Sequence, residues 1–166
     1  VYFDTDYQNM FGECTASGGA TGSCEIGDSF NAGEASISGF ELVAKTERVG
    51  ELGTNYPLSM VYTSTDASFD NTFESYFWGS VTPGMDIPDL PDSQLALQAG
   101  FETQTGLRGS ATYYAYGSTC SVASCAVGTS VDSYNVIDAS LTKMVSDQLD
   151  VYMVVENITD ETDVVA

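Results

Sequence analysis

Alternation of apolar and polar residues runs along almost the whole chain, and it restricts the fold more than any other feature. In the clearest stretch, 94–102, one face has leucine, alanine and phenylalanine, and the other has glutamine and glutamate with one alanine and one glycine. The same period of two returns at 107–115, 137–142 and 149–156, whereas helical periodicity is almost absent. Because successive side chains of a strand point to opposite faces, the pattern predicts an all-β protein whose strands have one apolar and one polar face.

The spacing of the strands adds a second constraint. Three more stretches, around residues 1–10, 34–46 and 56–65, bring the predicted strands to seven. Their connections alternate between long links rich in Gly, Ser, Asp and Pro and short turns, which is typical of antiparallel outer-membrane β-barrels with long extracellular loops and short periplasmic turns. A water-soluble sandwich has no reason to gather its long loops at one end. The long links are 11–33, 66–91 and 117–132, and the short turns are 47–55, 103–106 and 146–148.

The charged residues are also divided between the long links and the short turns. The chain has 24 acidic and 4 basic residues, a net charge of −20. All four bases, Lys45, Arg48, Arg108 and Lys143, lie in or beside the short turns, while the long links are acidic. Acidic loops would also suit a soluble protein, but solubility does not explain why the bases cluster. A charge of this size and sign repels phosphate backbones, so we expect no nucleic-acid partner.

The composition excludes several classes of catalysis and metal binding. It has no histidine, which removes Ser-His-Asp and Cys-His catalysis and the commonest ligand of zinc and haem. A carboxylate pair such as Asp4 and Asp6 could in principle serve as acid and base, but nothing distinguishes it from two residues on one face of a strand. We therefore predict that the protein is not an enzyme and has no catalytic residues, cofactor or metal site.

Four cysteines form two closely spaced pairs, Cys14 with Cys24 and Cys120 with Cys125. Each pair is surrounded by Gly, Ser, Thr and Ala, so local disulfides in an oxidising compartment are the favoured interpretation. Four reduced thiols remain an alternative, and so does a zinc site built from all four cysteines, although no CxxC pair is present.

Five segments carry a likeness to a known family. The segment NAGEASISGFEL at 31–42 resembles the strand pattern N-x-G-E-A-x-I-x-G-F-E-L of TonB-dependent outer-membrane receptors. Four more segments follow in the family's order, and the likeness is closest to ferric-citrate and ferric-siderophore receptors. They are YTSTDA (62–67), IPDLPDSQL (87–95), YNVIDAS (134–140) and VENITDE (155–161), which are similar to Y-T-Y-T-D-A, V-P-x-x-P-x-H-Q-L, Y-x-V-x-D-x-S and V-x-N-L-F-D-x-x-Y.

The resemblance implies a partial transmembrane β-barrel in the outer membrane of a Gram-negative bacterium. The family's barrel has about 22 strands, so residues 1–166 are expected to be a C-terminal portion of one barrel domain, with the plug domain and the last strand outside this chain. The implied function is import of a scarce ligand, a ferric siderophore or another iron chelate, energised through TonB. The implied partners are the plug domain and the remaining barrel, TonB through parts outside this chain, outer-membrane lipid and the small iron chelate.

Candidate site residues fall into two groups. Tyr76, Phe77 and Trp78 in the second long link are predicted to contact the ligand, because exposed aromatic side chains give large contact area; an aromatic belt at the membrane surface is the alternative. The polar face of the strands is predicted to line the lumen. Its residues are Glu41, Gln94, Gln98, Glu102, Arg108, Ser110, Thr112, Asp138 and Ser140.

The acidic long links limit what these loops can hold. A receptor for an anionic chelate should present Arg or Lys to it, yet no basic residue lies in the three long links. We therefore expect this portion not to contact an anionic ligand directly. Asp86, Asp89 and Asp92 offer oxygen ligands for Ca²⁺ but lack a recognised loop spacing, and a solvated acidic loop is the favoured interpretation.

Three other functions remain open at this point. A secreted, disulfide-stapled β-sandwich could act as a binding module and would be soluble without detergent. A small complete outer-membrane barrel or adhesin would need a closing eighth strand. An enzyme is the least supported of the three.

Overall fold

The structure is a computed structural model that describes residues 1–14, 17–18, 24–123, 125 and 129–162. The described residues form thirteen β-strands and one 3-10 turn (Glu51–Gly53), which confirms the all-β prediction. No helix among them is long and apolar enough to cross a membrane. The strands are β1 (Tyr2–Tyr7), β2 (Phe11–Glu13), β3 (Ser29–Asn31), β4 (Ala35–Val49), β5 (Asn55–Phe69), β6 (Phe73–Ser75), β7 (Gly79–Val81), β8 (Ser93–Glu102), β9 (Leu107–Tyr116), β10 (Thr119–Cys120), β11 (Ser130–Val131), β12 (Tyr134–Ser146) and β13 (Leu149–Val155).

Seven strands form one sheet in the order β1-β4-β5-β8-β9-β12-β13. These are the seven strands that the alternating pattern predicts, and each lies beside the next long strand in the chain. Antiparallel pairing joins β8 to β9, β9 to β12 and β12 to β13. Within the described residues β1 and β13 are the edges, so the sheet is not closed. Such an up-and-down meander is the connectivity of barrel walls.

The three long links contain small hairpins that the sequence pattern does not predict. Antiparallel pairs form between β2 and β3, β6 and β7, and β10 and β11. Their strands are only two or three residues long, which is too short for a period of two to be recognised.

The turn between β8 and β9 shows how the short connections are fixed. The Thr103 hydroxyl oxygen accepts a hydrogen bond from the Leu107 N–H at 3.1 Å, and the hydroxyl donates to the Leu107 carbonyl oxygen at 3.0 Å. Gly106 has a φ of 73°, a conformation that glycine adopts without strain. A Cβ at Gly106 would also collide with the Met144 side chain. Glycine at this position therefore allows the tight turn and its contact with β12.

The chain divides into two compact units. We call Val1–Phe40, Ser64–Asp92 and Ser118–Asp132 the loop unit, and Glu41–Thr63, Ser93–Gly117 and Ser133–Ala166 the wall unit. The loop unit contains the small hairpins, and the wall unit contains β8, β9, β12 and β13 whole. Strands β4 and β5 contribute residues to both.

The loop unit has a packed core. Phe69, Val81, Ala32 and Ala35 are fully buried there, together with the disulfide between Cys14 and Cys24. Met10, Phe73, Phe77, Trp78, Met85 and Ile87 pack around them. Burying this apolar surface stabilises the loop unit in water, as in a soluble protein.

The wall unit has no buried side chain among its described residues. Apolar residues occupy one face of it and stay exposed: Leu97 is 38% accessible and Val151 is 55% accessible. In register, Leu97 lies opposite Tyr113 and Tyr113 lies opposite Ile137, so the apolar face continues from strand to strand. Exposure of such an apolar face to water is unfavourable, whereas contact with lipid is favourable.

Candidate functional site

The nine predicted lumen residues lie on the face opposite the apolar one. On β8, β9 and β12, Gln98 lies opposite Thr112, which lies opposite Asp138. The Gln98 Nε2 donates a hydrogen bond to the Thr112 Oγ1 at 3.3 Å. The Oγ atoms of Ser110 and Ser140 are 3.0 Å apart. Gln94 and Glu102 occupy the same face of β8, and Arg108 lies directly opposite Glu102.

Glu41 shares this polar face, as a chain of contacts shows. The Asn55 Nδ2 donates to the Glu47 Oε2 at 3.4 Å, so these two side chains are on one side of the sheet. Pro57 follows Asn55 by two residues and so shares its face. A Cβ at Gly100 would lie 3.4 Å from the Pro57 side chain, so Gly100 is on this face as well. Gly100 is two residues from Gln98, and Glu41 is six residues from Glu47. An even spacing within a strand returns to the same face.

One ion pair on the polar face joins β9 to β13. The Arg108 guanidinium is 3.4 Å from the Asp150 carboxylate, and both side chains are about half exposed. The alternating pattern predicts Arg108 on this face but does not identify its partner. The strand register explains the pair. Arg108 on β9 lies opposite Thr142 on β12, and Thr142 lies opposite Tyr152 on β13. Asp150 is two residues from Tyr152, so Arg108 and Asp150 can meet across β12.

The polar face also contains aromatic side chains at the end from which the long links leave. The rings of Tyr116 and Tyr134 stack with their centroids 4.9 Å apart, and Tyr116 lies opposite Gln94. Their proximity to strand ends would assign both tyrosines to a membrane belt. The signal that places them correctly is parity, because Tyr116 is an even number of residues from Thr112, as Tyr134 is from Asp138.

The aromatic segment in the second long link divides into two parts. Trp78 packs with its ring centroid 5.1 Å from that of Phe30 and 5.5 Å from that of Phe69, and Phe77 packs beside it. Both therefore belong to the packing around the loop-unit core. Tyr76 is 62% exposed. The sequence predicts one exposed cluster of three aromatic residues. The partners of Trp78 come from remote parts of the chain, which the local sequence does not reveal.

The four cysteines form two local disulfides, Cys14 with Cys24 and Cys120 with Cys125. The pairing is the one that the spacing predicts. A zinc site needs deprotonated thiols, which disulfide-bonded cysteines do not provide. For the same reason the proximity of Asp86 to Cys120 and Cys125 does not make a metal centre.

A cavity of about 460 Å³ in the loop unit lies beside the second disulfide. Asp66, Asp86 and Asp92 line it together with hydroxyl and apolar side chains. Asp89 is nearby, with its N–H donating to the Cys120 carbonyl at 2.8 Å, and desolvation by burial raises the pKa of its carboxyl group. The cavity is thus acidic, and an anion would meet carboxylates rather than cations there.

Side-chain hydrogen bonds fix the chain after β13. The Asp138 carboxylate accepts from the Asn157 N–H at 2.8 Å. The Asn157 amide donates to the Glu161 carbonyl and its Oδ1 accepts from the Glu161 N–H, each at 2.9 Å. The two C-terminal segments that resemble receptor motifs therefore contact each other directly, through Asp138 and Asn157.

Long antiparallel strands with one polar and one apolar exposed face, joined alternately by long links and short turns, form the wall of a membrane-spanning β-barrel. The family model described as TonB dependent receptor-like, beta-barrel, matches residues 1–158, and the chain belongs to this family. No curated protein and no solved structure matches the chain.

Membership defines the class of protein. Proteins of this family are transporters of the Gram-negative outer membrane that depend on TonB. The fold is accordingly part of a transmembrane β-barrel, which decides between the barrel and the soluble sandwich that composition left open.

Proposed function

We propose that the chain is part of a receptor that imports an iron chelate, a ferric siderophore or a similar compound, through the outer membrane with energy supplied through TonB. The observation that carries the proposal is the family match over residues 1–158, together with five motif segments that most resemble those of ferric-citrate and ferric-siderophore receptors. The residues form one portion of the barrel domain. The plug domain, the last strand and the rest of about 22 strands lie outside this chain.

The polar face of the wall unit would line the lumen and meet the plug domain. Its side chains are hydroxyls, amides and charged groups that hydrogen-bond within the face, such as Gln98 with Thr112 and Ser110 with Ser140. Such a surface can be hydrated or can pair with polar groups of a plug, whereas the opposite face is apolar and suits lipid.

Contact with the ligand would come from aromatic rather than basic groups of this chain. Tyr76 is exposed on the loop unit, and Tyr116 stacks with Tyr134 on the polar face. The loop-unit cavity has three carboxylates in its lining, and the long links have no base. Cationic groups that hold an anionic chelate would therefore come from parts of the receptor outside this chain.

Growth under iron limitation tests the transport function. A strain that lacks the receptor gene should fail to grow on at least one ferric chelate as its sole iron source, and a strain that lacks TonB should fail equally. Undiminished growth of the receptor mutant on anionic, neutral and cationic ferric chelates would overturn the assignment to iron.

Binding to the purified full receptor tests the role of the loops. Asp66→Asn, Asp86→Asn and Asp92→Asn combined should change the Kd for an anionic ferric chelate by less than about twofold, because carboxylates that do not contact the ligand act on it only through screened, long-range charge. Glu74→Gln, an exposed acid outside the cavity lining, is the matched control. A tenfold tightening restricted to the cavity variant would show that these loops do face the anion.

A further inference from the structure

The four basic residues of the chain divide equally between the two faces of the wall unit. Lys45 is two residues from Glu47 and so shares the polar face, and Arg108 is paired with Asp150 on that face. Arg48 follows Glu47 directly and Lys143 lies between Thr142 and Met144, so these two bases are on the apolar, lipid-facing side. No other base exists in the sequence.

Lys143 extends from the apolar face toward the edge with the short turns. In register it lies between Leu107 on β9 and Val151 on β13, so its methylene groups run between two apolar side chains. Its Nζ donates a hydrogen bond to the Thr105 carbonyl in the turn between β8 and β9. A lysine that lays its stem on apolar surface and directs its charge to the polar boundary is snorkelling.

Arg48 stands at the same kind of boundary on β4. It is one residue before the end of the strand, on the face that it shares with Leu42 and Ala44. Arg48 is exposed, and its guanidinium makes no hydrogen bond or ion pair with the described part of the chain. An arginine at this height next to lipid is able to bind a phosphate group through two of its N–H donors.

The height of Lys143 agrees with a membrane boundary. On the lipid-facing side of β12, the residues between Lys143 and Asn135 are Leu141, Ala139 and Ile137, all apolar. Eight residues of strand span about 26 Å, or about 20 Å across a membrane for a strand tilted by about 40°. Lys143 and Asn135 thus bracket most of the hydrocarbon band, and the end with the short turns is the periplasmic one.

We propose that Arg48 and Lys143 are two separate binding sites for the phosphate groups of anionic phospholipids in the periplasmic leaflet. Strands β4 and β12 are four strand spacings apart in the sheet, about 19 Å, so each base holds its own headgroup. The acyl chains lie on apolar side chains of the same face, Ala44 and Leu42 further along β4 from Arg48, and Leu107 and Val151 on either side of Lys143. The proposal rests on the barrel fold and is independent of the transported ligand.

Native mass spectrometry of the purified full receptor, titrated with phosphatidylglycerol or phosphatidylcholine, tests this proposal. Arg48→Gln with Lys143→Gln should lower phosphatidylglycerol affinity by about fivefold at each site, the equivalent of about 1 kcal/mol per surface base. Phosphatidylcholine binding should not change. Lys45→Gln is the matched control, because Lys45 lies near the same short turn as Arg48 but on the polar face.

A charge-preserving pair, Arg48→Lys with Lys143→Arg, should bind phosphatidylglycerol more tightly than the glutamine pair, because either base places a positive charge near the membrane surface. The proposal is overturned if the double glutamine variant binds phosphatidylglycerol like the wild type, or if Lys45→Gln loses as much affinity. Heat-modifiable migration in gels checks that every variant has a folded barrel. If the glutamine pair does not fold, the single variant Lys143→Gln with Lys45→Gln as control decides the outcome.

Discussion

The loop unit and the wall unit belong to one chain but are stabilised in different solvents. All the buried side chains of the described residues are in the loop unit, around Phe69 and Val81, and both disulfides are there as well. The wall unit has backbone ladders and two exposed faces instead of a core. The difference shows that a single chain can contain two regions that are stabilised differently, one by apolar packing within the protein and one by contact with lipid.

The comparison predicts unequal losses of stability from the same kind of truncation. Phe69→Ala should open a cavity in the loop unit and cost about 3–5 kcal/mol of local stability, because the Phe69 ring is fully buried. Leu97→Ala, on the lipid-facing side of the wall unit, should cost much less because lipid refills the space. Hydrogen exchange of the full receptor in detergent measures both effects as local opening free energies. Equal losses at the two sites would remove the distinction between the units.

Charge insertion should sharpen the difference between the two faces of the wall. Leu97→Arg places a charge in the apolar band and should cost about 2–4 kcal/mol if the site is near the midplane. Gln98→Arg, the next residue of β8, places the same charge on the polar face and should cost well under half as much. Urea titration of the receptor folded into lipid vesicles gives both values. A reversed order would mean that the faces have been assigned the wrong way round.

The smallest effect is expected at the ion pair of the polar face. Arg108 and Asp150 are about half exposed, so water screens their attraction and their coupling should be at most about 1 kcal/mol. A double-mutant cycle with Arg108→Gln and Asp150→Asn measures it in the same vesicle assay. A coupling of several kcal/mol would indicate that the pair is desolvated in the full receptor, as contact with a plug domain would cause.

The sequence predicted the wall better than the loops, and the reason is the range of the interactions involved. The seven long strands and the polar face from Gln94 to Ser140 follow from a period of two, which is a local signal. The packing of Trp78 against Phe30 and Phe69 joins three distant segments, and no local pattern reports it. Asp150 was missed as the partner of Arg108 because cross-strand neighbours depend on register, which a single strand does not reveal.

Tyr116 and Tyr134 illustrate a different kind of failure. Both are near strand ends, where aromatic residues are typical of a lipid-facing belt, yet they stack on the polar face. The alternating pattern predicts the polar face for both tyrosines, since each is an even number of residues from a polar residue of its own strand. Position along a strand indicates membrane depth, whereas parity decides the face.

The two disulfides close segments of only 10 and 5 residues. Loop closure over such distances needs no distant part of the chain and occurs on a timescale far shorter than strand pairing. Oxidation of each pair therefore does not have to wait for barrel assembly, and the thiols can be joined while the polypeptide is still soluble in the periplasm. The outer loops would then reach the membrane already cross-linked, which shifts part of the maturation of this receptor from the bilayer to the oxidising compartment before it.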